Sequence, residues 1–281
     1  MRYSLREGGE SYVEIRDGGN CKALRRYGSL GFIIYWRKRH KKTTNLTWLA
    51  AGMIGFIVSA RALELGMHYI CIVPDNAVSR FINGSTVAFA LYGTAMACIF
   101  EECGRYIVLK HIMKKNRSLE NAVLYGIGHG GIEILAVLLP VMILYLAIAV
   151  LFRAGDASSA AEALKITEDT AGAALPSVRA AASFDFAMMA MNVLERVLAM
   201  LMHTGLTVIV YYGLVRKRKA YLPVAVILHM TADTLPALYQ RGVVPLWMVE
   251  VWGAAITVKV VFIAVKRYKR GKTESPAGCI A

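Results

Sequence analysis

The chain has 281 residues, 57% of them apolar and only 19% charged, whereas soluble domains carry about a quarter charged residues. That composition excludes an ordinary water-soluble enzyme and puts the chain in a lipid bilayer. A net charge of +14 would suit a nucleic-acid binder if the basic residues formed one face, but they fall in short clusters between apolar runs, so no nucleic-acid partner is expected.

Residues 1–28 carry repeated charges and glycines, without the apolar run that a cleavable leader needs. Ser29 to Trp36 (SLGFIIYW) is too short to cross a bilayer and reads as an interfacial segment or the last third of a helix. Residues 1–36 therefore stand apart from a core over 37–270. A span takes roughly 20 helical residues, and six stretches qualify: 46–70, 85–109, 121–152, 187–214, 221–240 and 244–265. The third is long, and Pro140 invites a kink in it. The expected fold is thus all-α, a polytopic transmembrane bundle of six spans plus the short N-terminal apolar segment.

Basic clusters at Arg37 to Lys42, Lys110 to Arg117, Arg216 to Lys219 and Lys266 to Lys272 all fall on one side if the spans alternate. Lys and Arg mark the cytoplasmic side of short loops, so the expected location is the cytoplasmic (plasma) membrane, multi-pass, with a cytoplasmic tail at 271–281. The opposite side receives the loop around Asp75, the Ala-rich stretch 154–183 and the turn at Arg241 and Gly242. The cysteines Cys21, Cys71, Cys98, Cys103 and Cys279 are odd in number and scattered, with no CxxC pair, and read as structural.

Ionisable groups within hydrocarbon are costly and usually paired or functional. The second span carries Glu101, Glu102 and Arg105 (FEECGRY), the third His129 and Glu133 (GIGHGGIE), the fourth His203 (MLMHTG) and the fifth His229 and Asp233 (LHMTADTLP). Counted from the cytoplasmic ends, four of these groups on four helices lie at one depth, roughly 12 to 17 Å in at 1.5 Å per residue. Glu133 and Asp233 each follow a histidine by four residues and share its helix face. Gly126, Gly128, Gly130 and Gly131 either allow close helix packing or leave room for a substrate backbone. Arg61, Glu64 and His68, and likewise Glu195 and Arg196, are spaced to pair among themselves, while Glu250 and Lys259 look structural.

Two adjacent carboxylates cannot both carry charge cheaply, so one can act as a base while its neighbour pairs with Arg105. Histidines at the same level can hold a water or donate to an oxyanion. That is an amide hydrolase. The same groups also suit zinc, in which case His129, Glu133, His203 and His229 are the ligands; otherwise no cofactor is expected.

FEECGRY, YGIGHGGIE, His203 and LHMTADTL together resemble the YhfC family of intramembrane proteases, itself similar to the CAAX-prenyl-type and PrsW-type membrane proteases. The resemblance runs from about Ile33 to Lys266. It implies a glutamic-type intramembrane endopeptidase that cuts a membrane-embedded or juxtamembrane peptide, with Glu101 as general base, Glu102 and Arg105 supporting it, and His129, Glu133, His203, His229 and Asp233 completing the catalytic set. The basic residue follows the glutamate pair after two residues where the CAAX-type pattern has three, and Glu133 ends the second motif where that pattern has histidine; this is closer to PrsW-type spacing. The expected partners are a membrane-anchored peptide or protein substrate and the lipid bilayer. The alternatives are a zinc metalloprotease, a proton-coupled transporter, or a peptide- or lipid-binding membrane protein, and no internal repeat of the transporter kind is present.

Overall fold

The computed structural model of the protein describes residues 44–115, 117–140 and 186–273, with Trp36 and residues 38–40, 142, 143 and 146. The interfacial reading of Ser29 to Trp36, the loop over 154–183 and the tail beyond Thr273 fall largely or wholly outside these. The chain divides into two units, Met1–Lys42 and Thr43–Ala281, and the second contains every helix that follows. Among the described residues all regular elements are helical. They are α1 (Leu46–Cys71), the short α2 (Ala77–Gly84), α3 (Thr86–Ile112), α4 (Leu119–Glu133, continuing through Leu138), α5 (Phe186–Val215), α6 (Tyr221–Gln240) and α7 (Leu246–Thr273).

Among the described residues, five helices are long and apolar enough to cross a membrane: Leu46–Cys71, Thr86–Ile112, Ala190–Val215, Tyr221–Gln240 and Leu246–Thr273. Each coincides with an expected span. The third expected span is helical from Leu119 to Pro140 and again at 142, 143 and 146, and the remainder of it lies outside the described residues.

Helix starts follow their capping residues. Asn45, Ser85 and Ser118 each accept a backbone N–H of the first turn of α1, α3 and α4. The amide of Asn45 also donates to Asn121 Oδ1 at 2.8 Å, which ties the start of α1 to α4. At the far end of α6, Gly242 takes φ +68; its N–H bonds Tyr239 O at 2.9 Å and the N–H of Val243 bonds Leu238 O at 3.1 Å. This paired closure needs a left-handed residue, which glycine supplies at least cost.

Helix α4 is the centre of the bundle, with Glu120 through Gly130 all buried. It packs between α1 and α5, while α3 packs on α6 and α5 on α7. Small residues permit this. A Cβ on Gly52 would overlap the carbonyl oxygen of Tyr125, and one on Gly128 would overlap that of Leu49. On the opposite face, a Cβ on Gly130 would lie 2.6 Å from Met200 Cα, and Gly126 abuts Thr204. Three of the four glycines near His129 therefore serve helix approach; only Gly131 faces open space.

Three helices widen locally from α to π geometry, at Ile57–Glu64, Val108–Ile112 and Ile134–Leu138. The last has a cause in the sequence. Pro140 has no N–H to offer the carbonyl of Ala136 four residues earlier, and the Arg61 guanidinium donates to that oxygen instead, at 3.1 Å. Arg61 thus serves α4, while Glu64 pairs with His68 at 3.4 Å as its spacing suggests.

Candidate active site

One face of α3 is buried at Ala90, Thr94, Cys98, Glu101, Glu102 and Arg105, a three-and-four spacing that turns a single stripe inward. Around it converge His129 from α4, His203 from α5 and His229 from α6, each no more than 2% exposed. The ring centroids of His129 and His203 are 4.8 Å apart and those of His203 and His229 5.0 Å. The common depth read from the sequence corresponds to direct contact.

Arg105 organises the base of the cluster. Its guanidinium donates to Glu102 Oε1 and, at 2.9 Å, to His203 Nδ1. His229 Nδ1 lies 3.0 Å from the same Glu102 oxygen. A carboxylate that accepts the Nδ1 proton leaves Nε2 as the free nitrogen, the arrangement that characterises metal-ligating histidines. His229 Nε2 then faces Asp233, whose Oδ2 is 3.4 Å away.

Glu101 Oε2 sits 2.9 Å from His129 Nε2 and 3.7 Å from His203 Nδ1. Glu133 does not pair with His129, its neighbour on the helix face; its Oε2 approaches His203 Nε2 at 2.8 Å. That approach is off the N–H direction, so Oε2 is a buried acceptor without an aligned donor. Its Oε1 accepts from Arg196 at 2.9 Å, and Arg196 also donates to Glu195. Glu102 Oε2 and His129 Nδ1 are likewise buried without partners. Arg105 Nε is a fourth such atom, and because buried polar atoms are normally satisfied, four orphans in one cluster point to a place that holds something more.

Two cavities reach the cluster. One of about 230 Å³ is lined by Glu101, Glu133, Arg196, His203, His229 and Asp233. The other, of about 320 Å³, lies between α1, α3 and α6 beside Glu64, His68 and Tyr92, and adjoins the first at Asp233 and Pro236.

The donors also suit a divalent ion. Glu101, His203 and His229 each offer a ligand atom within 4.8 Å of the others, a His₂Glu set of the kind zinc peptidases use. His203 Nδ1 can serve either the ion or Arg105, not both. The sequence groups His129 and Glu133 with the two histidines as zinc ligands; in the fold Glu101 completes the tight set, with His129 against Glu101 and His203 and Glu133 against His203. Two residues gained a place that spacing alone did not give them. Arg196, read as pairing with its neighbour, also holds Glu133, and Cys98, read as structural, meets His229 and Asp233 in a second such group. Glu250 lines the smaller cavity.

Acids and histidines gathered around an interior cavity of a multi-pass helical membrane protein mark a candidate functional site. The family described as YhfC intramembrane metalloprotease matches residues 28–252, and the chain belongs to that family. It is also 27% identical over 237 residues to the "Uncharacterized membrane protein YhfC" of Bacillus subtilis (strain 168), covering 84% of this chain and 86% of the relative. No solved structure matches.

Proposed function

We propose that the chain is a metal-dependent endopeptidase that cuts a peptide bond within or beside the membrane. Glu101, His203 and His229 hold a zinc-like ion, and Glu133 handles the proton. The observation that carries this reading is the His229 imidazole, fixed through Nδ1 by the Arg105-paired Glu102 so that Nε2 points toward the ligand group. The family's description as metalloproteases supports it.

When bound, the ion would polarise the scissile carbonyl and acidify an attacking water. Glu133 Oε2, lacking an aligned donor, accepts the water's proton and passes it to the departing amine. Arg196 keeps the other oxygen of Glu133 occupied, which leaves Oε2, 2.8 Å from His203 Nε2, as the oxygen beside the ligand group. Arg105 neutralises Glu102, which lets three further acids share the site without an equal number of bare charges. A metal-free mechanism with Glu101 as base draws support from the 2.9 Å contact between His129 Nε2 and Glu101 Oε2, and the same experiment separates the two.

That experiment is cleavage of membrane-anchored peptide reporters by the purified chain in liposomes, with and without a strong zinc chelator, for wild type, Glu101→Gln and His229→Ala. Metal dependence predicts cleavage by wild type that the chelator abolishes and zinc restores, and none by either variant. Chelator-resistant cleavage that still needs Glu101 would shift the assignment to the glutamic mechanism. Unchanged cleavage in both variants would remove the site altogether.

A further inference from the structure

We propose that Cys98 is a second, sulfur-bearing ligand for a thiophilic divalent cation, and that with His229 and Asp233 it forms an ion position adjoining the one made by Glu101, His203 and His229. The proposal rests on the metal-dependent reading of the site. It assigns a role to a residue whose sequence context carries none.

The geometry is specific. Cys98 lies one turn before Glu101 and Glu102 on the buried stripe of α3 and is itself 0% exposed. Its Sγ is 3.7 Å from Asp233 Oδ2, and that oxygen is 3.4 Å from His229 Nε2. Thiol, imidazole and carboxylate each place a ligand atom within 4.8 Å of the other two. The remaining described cysteines, Cys71 and Cys103, are both partly exposed and join no such group. A thiol held against a carboxylate and an imidazole has a route for its proton. A cation held there would displace the Sγ proton, which would pass by way of Asp233 to water in the adjoining cavities and leave the carboxylate free to bind.

The two positions share His229. Its Nδ1 is committed to Glu102, so a single lone pair, on Nε2, serves both, and one ion occupies one position or the other. Hard ions favour the carboxylate and imidazole side, soft ions favour the sulfur, and borderline ions such as cobalt or zinc in excess distribute over both. The Cys98 side is therefore where a cation such as cadmium, or zinc in excess, draws His229 away from Glu101 and His203. Asp233 lies where the two cavities adjoin, so this position also stands at the passage between them.

Cobalt reports the ligand directly. The full chain, purified in detergent and stripped of metal, is titrated with Co²⁺ and its absorption recorded, alongside Cys98→Ser and a variant that keeps Cys98 while the other four cysteines become serine. The expected result is an intense near-ultraviolet sulfur-to-cobalt band in wild type and in the Cys98-only variant. Cys98→Ser should lose that band but keep the weaker visible ligand-field bands. Ligand-field bands with no sulfur band in wild type would overturn the proposal and leave the Glu101, His203 and His229 position standing. A sulfur band that survives Cys98→Ser would overturn it as well, and no cobalt uptake by wild type would overturn both this position and the metal-dependent reading.

Discussion

At the residue scale the site depends on a few buried charges whose partners decide what they can do. Glu102 is wholly buried between Arg105 and His229, and its value lies in orienting the imidazole. Glu102→Gln should weaken ion binding about 10- to 100-fold, the usual effect of removing a carboxylate behind a ligating histidine, as measured by competition with a chromophoric chelator; unchanged affinity would mean that His229 needs no such support. Arg105→Ala leaves Glu102 without its cation and His203 without its donor. Breaking a buried pair from one side costs about 3–5 kcal/mol, so the variant should unfold at a clearly lower temperature in detergent, and more so than Arg80→Ala, whose pair with Asp75 is exposed. Much of this set could be read from the sequence, because ionisable residues in apolar runs are conspicuous. The pairings could not, since Glu133 meets a histidine from another helix in place of its own helix neighbour, and Cys98 gains its surroundings only when α6 packs on α3.

At the element scale, helix contacts place these side chains. Gly52 and Gly128 bring α1 and α4 together backbone to backbone, and Gly126 and Gly130 do the same for α4 and α5. Gly128→Ala should therefore destabilise by about 1–3 kcal/mol through overpacking, whereas Gly131→Ala, with nothing within 4 Å of its Cβ, should be neutral or gain up to about 1 kcal/mol of helix propensity. Thermal unfolding of the two variants side by side checks the contrast, and equal effects would contradict the packing argument. The pairing of Arg61 with the carbonyl stranded by Pro140 makes a second prediction: Arg61→Leu should lower stability in wild type and do so less in a Pro140→Ala background, where a backbone N–H can take over. Five of the six expected spans coincide with long apolar helices and were visible in the sequence from hydropathy alone. The π turns and the short helix Ala77–Gly84 were not, because they arise from backbone accommodation and local capping and not from apolar periodicity.

At the scale of the whole molecule, the bundle gathers a polar cluster of acids and histidines among helices whose outer faces carry exposed residues such as Ile54, Leu91, Ile227, Val258 and Phe262. That distribution, apolar outside and charged inside, is expected of a chain whose solvent is lipid. The basic clusters predict that the C-terminal end of α7 faces the cytoplasm; a reporter fused after Ala281 should be active only in its cytoplasmic form, and the opposite result would reverse the topology. The measurement that tests the central claim most directly is the zinc content of the purified chain by elemental analysis, for wild type, Glu133→Gln and His229→Ala. One equivalent per chain in wild type and in Glu133→Gln, with loss in His229→Ala, is the result predicted for an ion held by Glu101, His203 and His229 with Glu133 outside its ligand set. A wild-type chain that cuts its reporter while carrying no zinc or other transition metal would contradict it.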